Sequence, residues 1–120
     1  MAAAEGEAQM TEELALRFAK EMMGWDDAEL TGLYIYSEAQ SEGIRYDELD
    51  AAMEAAQVWC DSRNGIRLFM ERVGTQWHVI VNQMIDDHEH RSLGSAISAH
   101  LLSALMQACL DANTKLKAIS

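Results

Sequence analysis

Asp86-Asp87-His88-Glu89-His90 is the densest group of metal-capable side chains in the sequence, with two imidazoles and three carboxylates as nitrogen and oxygen donors. Those donors are crowded into one short stretch, whereas a stable site draws its ligands from separate elements. A solvated connecting loop is the competing reading, and neither a metal nor a cofactor is expected. His78 falls in a strand pattern, where it reads as a polar neighbour of Asn82 or Glu71, and His100 reads as a boundary residue of a helix. Cys60 and Cys109 lie in helical patterns without CxxC spacing, so they read as free, buried thiols in a reducing compartment. Nothing resembles GxSxG, a P-loop or GxGxxG. A serine or cysteine nucleophile would need a base and an orienting carboxylate that no motif supplies. A non-enzyme is expected.

The carboxylates offer a different chemistry. The 120 residues hold 20 acidic and 9 basic side chains, a net charge of -11. Through Asp61 there are 15 acidic and 3 basic residues, and from Ser62 onward 5 and 6. Such a surface repels phosphates and argues against direct nucleic-acid binding, while attracting a basic protein. Asp47, Asp50, Glu54 and Asp61 recur at three, four and seven residues, which places them along one stripe of a helix. Asp26, Asp27 and Glu29 precede them, and Trp25, Tyr34, Tyr36 and Tyr46 bracket this acidic region. Aromatic side chains beside carboxylates suit a protein interface. The candidate partner-binding residues are therefore Asp26, Asp27, Glu29, Tyr34, Tyr36, Asp47, Asp50, Glu54 and Asp61. A stripe of this kind could mimic the phosphates of a nucleic acid in a basic groove; the plainer reading is a solvated face that keeps the protein soluble. Arg63, Arg67, Arg72 and Arg91 support a second class of function, the sequestering of a nucleotide or small anion.

These residues must be held by a small α+β domain, which 120 residues can form without disulfides or metal. Ile66, Leu68 and Met70, then Trp77, Val79 and Val81 after a turn near Gly74, alternate as a β-hairpin with one buried face. Thr11 is an N-cap for a helix over 12–23, with Gly24 as its stop. An acidic linker over 26–30 leads to a short edge strand at Leu33-Tyr34-Ile35-Tyr36, and a second helix spans 47–61. Ser92 caps a last helix reaching Ala112, whose broad apolar stripe implies burial on more than one side and leaves room for a homodimer. The expected organisation is a flexible tail over 1–10, one domain over 11–112 and a flexible end over 113–120: three helices on an antiparallel sheet of about three strands. No signal peptide and no apolar run near the roughly 20 residues of a membrane helix is visible, so a cytoplasmic protein is expected.

Met23-Gly24-Trp25 at the first helix end, Asp50-Ala51-Ala52-Met53, Trp77-His78-Val79 and the Ala- and Leu-rich last helix resemble the phage ABA-sandwich domain family over about 11–111. The resemblance implies helices on both sides of the sheet and a phage or prophage source, and carries no catalytic residues with it. Together with the acidic first half it suggests a small inhibitor or accessory protein that binds a basic host protein in the bacterial cytoplasm. Its sharpest form is an anti-defence protein, such as an anti-CRISPR that mimics nucleic acid to occupy a nucleic-acid-binding defence protein.

Overall fold

The computed structural model describes residues 11–41, 46–63 and 65–119, so the tail expected over 1–10 lies outside it. The described elements are α1 (Glu12–Glu21), α2 (Ala28–Ser41), α3 (Tyr46–Asp61), β1 (Ile66–Val73), β2 (Gln76–Met84), β3 (His90–Ser98) and α4 (Leu101–Ile119). The class is α+β, and the strands form an antiparallel meander in the order β1-β2-β3.

Thr11 caps α1 as its residue type requires, its Oγ1 accepting from the Leu14 N–H at 3.1 Å. The hairpin also forms, and its buried residues share one face, with Leu68 opposite Val81 and Met70 opposite Val79. Val73 and Gln76 close a two-residue turn in which Gly74 has φ +65°, a conformation that costs a side chain and suits a hairpin.

Two expectations are corrected. Leu33–Tyr36 is not an edge strand but part of α2, so there are four helices instead of three. Ala28, Gly32 and Ile35 recur at four and three residues and are buried, a helical stripe that overrides the strand preference of four aromatic and branched side chains. Gly32 lets α1 come close, since a Cβ there would stand 2.7 Å from the Leu16 Cα. Ser92, expected to cap the last helix, lies inside β3. Leu93, Ala96 and Ser98 are the buried residues of that strand. A bulge between Val81 and Asn82 shifts its alternation by one, since Ser92 pairs with Asn82 and Gly94 with Val81, leaving Leu93 as the extra residue. The chain instead turns into α4 at His100, whose carbonyl accepts the first helical bond from the Ala104 N–H, while Ser98 Oγ accepts from the His100 N–H at 3.1 Å and shapes that turn.

α4 covers the inner face of the sheet and is itself covered by α1 and α3, so Leu102, Leu105, Met106, Cys109 and Leu110 are all fully buried. Its continuation to Ile119 takes in the stretch expected as a flexible end, and Asn113 there is buried. The outer face, with Phe69, His78, Ile80 and Ile97, carries no helix among the described residues. The family resemblance implies helices on both faces; here the described ones share one.

Where Gly94 of β3 faces α4, a Cβ would meet the Ala108 carbonyl oxygen at 2.5 Å and the Ala112 nitrogen at 2.9 Å. Backbone atoms cannot swing aside. Gly94→Ala should therefore lower stability in urea titrations by about 3 kcal/mol. Gly74→Ala, which meets no atom within 4 Å but keeps φ at +65°, should cost about 1 kcal/mol.

Candidate functional site

The acidic stripe of α3 is where helical spacing puts it. Asp50, Glu54 and Asp61 are exposed, and Asp61 accepts from Gln57 Nε2 at 3.1 Å; the side chain of Asp47 lies outside the described residues. Asp26, Asp27 and Glu29 are exposed too, but they sit at the start of α2, where the helix dipole favours negative charge. The Asp27 carbonyl accepts from the Thr31 N–H at 3.1 Å, so this stretch opens a helix and is not a free linker. Tyr34 and Tyr36 do not bracket the acidic surface together. Two residues apart on a helix they point to opposite sides, Tyr34 half exposed and Tyr36 packed against the core.

What the structure adds is an apolar groove beside the stripe. After α1, Gly24 takes φ +65° and the Trp25 N–H returns to the Ala19 carbonyl, which sets Met22, Met23 and Trp25 against α3. Ala51, Ala55 and Val58 form the other wall and Glu54 stands among them, around a space of about 340 Å³. Trp25 is 37% and Val58 62% exposed. Sequence reasoning missed this groove because Val58 lies outside the core stripe of α3. Its signal was the spacing of Ala51, Ala55 and Val58, a second, shorter apolar row directly beside the carboxylates.

The other candidates are engaged singly. Asp86 Oδ1 accepts from the His88 and Glu89 N–H groups, both at 2.8 Å, so this carboxylate shapes the β2–β3 turn. Among the described residues no three metal-capable side chains converge. His78 Nδ1 lies 3.5 Å from Glu71 Oε1 on the outer sheet face, the neighbour its strand position suggested. The Arg63 guanidinium lies 4.7 Å over the Trp59 ring and donates to Ser62 Oγ and the Trp59 carbonyl. Arg72 covers the Trp77 ring at 5.4 Å, and Arg91 grips Gln83 Oε1 through Nε and Nη2. Arg91 and Arg67 line separate grooves at the sheet.

Both cysteines are free and buried. Burial pushes the Cys60 thiol up, Asp61 adding to the effect and Arg63 opposing it, and burial pushes Cys109 up to about 12. A nucleophile needs the opposite shift. No helix of the described residues is long and apolar enough to cross a membrane. Comparison with protein-family models, with curated proteins and with solved structures gives no match.

The Cys109 shift has a sign that can be measured. Its thiol ionises near 9.0 when exposed and only near 12 in the fold, so between those values the native state binds more protons than the unfolded one. Stability is then fully present below about pH 9 and lost as the pH rises toward 12, with a slope of up to about 1.4 kcal/mol per pH unit from this group. Urea titrations of the native protein and of C109A across that range should differ by this slope.

Proposed function

We propose that this protein is a small, acidic, non-enzymatic binding protein that captures a basic protein segment on α3 and in the groove beside it. The observation that carries this reading is the groove itself, where exposed Trp25 and Val58 stand beside Glu54 with no basic side chain in the lining among the described residues. Apolar anchors in a shallow recess supply affinity, and the carboxylates around them supply attraction at long range and selection of a positively charged partner. Asp50 and Asp61 extend the negative surface along α3, and Asp26 and Asp27 follow directly on Trp25. The narrower form is an inhibitor of a host nucleic-acid-binding protein, in which the α3 carboxylates stand in for phosphates. The phage-family resemblance and the acidic first half motivate that form, and the bacterial cytoplasm is its setting.

The test is capture from a bacterial lysate by the immobilised protein, washed at rising salt. A basic protein released by salt is expected, with capture abolished by D50K/E54K and weakened about ten-fold by W25A. Unchanged capture by D50K/E54K would sink the proposal, because the charge that defines the site would then be idle.

A further inference from the structure

The three-stranded sheet has two edges, and they are not equivalent. On β3 the bulge breaks the regular ladder, and the Ser92 carbonyl accepts from Lys115 Nζ at 3.1 Å. β1 is the open one. A groove of about 260 Å³ beside it is lined by Ile66, Arg67, Leu68 and Phe69 together with Gln57 and Cys60 of α3. Successive strand residues point to opposite faces, so a groove lined by both sets looks onto the edge of the strand itself.

The hydrogen-bond phase of β1 follows from its hairpin. The Val73/Gln76 pair closes the turn and the Met84 N–H donates to the Gly65 carbonyl at 2.8 Å, so odd-numbered residues of β1 direct their backbone groups at β2. Even-numbered residues, Ile66 to Arg72, direct theirs outward. No hydrogen bond to these outward groups from outside the hairpin is present among the described residues.

We propose that β1 pairs antiparallel with β1 of a second copy about a two-fold axis at Phe69, giving a continuous six-stranded sheet. The sequence order Arg67, Phe69, Glu71 is what selects this occupant. A two-fold axis at Phe69 sets Arg67 of each copy opposite Glu71 of the other, and both are exposed on the outer face. The backbone phase agrees with the side chains. In this register Leu68 meets Met70 and Ile66 meets Arg72 in hydrogen-bonded pairs, using the outward groups. Phe69 meets Phe69 and Arg67 meets Glu71 in the non-hydrogen-bonded pairs, where Cα atoms stand about 4.5 Å apart and side chains touch most closely. Phe69, 50% exposed in a single copy, is thereby covered. Charges on an edge strand ordinarily deter pairing, but here their order reverses sign about the centre. Repulsion between copies is also least here, because Ile66–Met84 carries Arg67 and Arg72 against Glu71 alone, while the acidic excess lies on the first half of the chain. Glu71 keeps His78 on its other side as a neighbour on β2.

Sedimentation equilibrium and light scattering of the full chain decide the matter. The expected mass is twice 13.4 kDa for the native protein. R67E and E71R should each weaken association about ten-fold or more, since each change puts like charges face to face twice per dimer. The double exchange R67E/E71R should restore the dimer by reforming both pairs with reversed polarity. A native protein that stays monomeric at every concentration, an R67E protein with undiminished association, or a double exchange that stays monomeric with a native circular dichroism spectrum overturns the proposal.

Discussion

The close seat of α4 on the sheet is the constraint on which the rest of this fold depends. Gly94 removes a side chain at the point where the strand meets the helix backbone, and the small residues Ala104, Ala108 and Ala112 keep the helix narrow enough to be surrounded. With the sheet on one side and α1 and α3 on the others, Leu102, Leu105, Met106 and Leu110 lose essentially all contact with water. Each such side chain contributes roughly 1.5–3 kcal/mol by burial. The bulge that places Gly94 opposite Val81 while tucking Leu93 into the core is part of the same arrangement.

A single buried polar residue ties the helices around α4 together. Asn113 accepts from Trp59 Nε1 of α3 and donates from Nδ2 to Glu21 Oε1 of α1, both at 3.3 Å. An amide that is buried must be bonded, and bonding it to two different helices selects one relative placement of both. The region that looked like a loose end is thus the junction of three helices. Trp59 is held on its other aspect by Arg63, so the end of α3 is fixed just where the chain turns into β1.

This arrangement separates the molecule electrostatically. The acidic excess is carried on the helical half, with Asp26, Asp27, Glu29, Asp50, Glu54 and Asp61 all exposed. The hairpin is nearly balanced and presents its mixed outer face to solvent. Because the core claims only the inner face of the sheet and the inward sides of α1 and α3, the surfaces available for recognition differ in kind: an apolar groove beside carboxylates, and a strand edge whose charges alternate in sign.

The sequence by itself determined the hairpin and its turn, the cap of α1, the approximate span of α3 and the exposure of Asp50, Glu54 and Asp61, because each is set by local periodicity or a local hydrogen bond. Burial of α4 on more than one side was legible in the breadth of its apolar stripe. The helix through Leu33–Tyr36 and the strand through Ser92 were not recoverable from local pattern. Four apolar residues satisfy either period, and what decides is whether α1 offers a surface at helical spacing, as it does through Leu16 beneath Gly32. In β3 the bulge breaks the alternation that would mark a strand, and a bulge exists only in relation to a partner strand. The groove between Trp25 and Val58 likewise joins two segments some thirty residues apart. Only tertiary packing decides which apolar residues are consumed by the core and which are left to face a partner, because burial is a property of the assembled layers and not of any one stretch of chain.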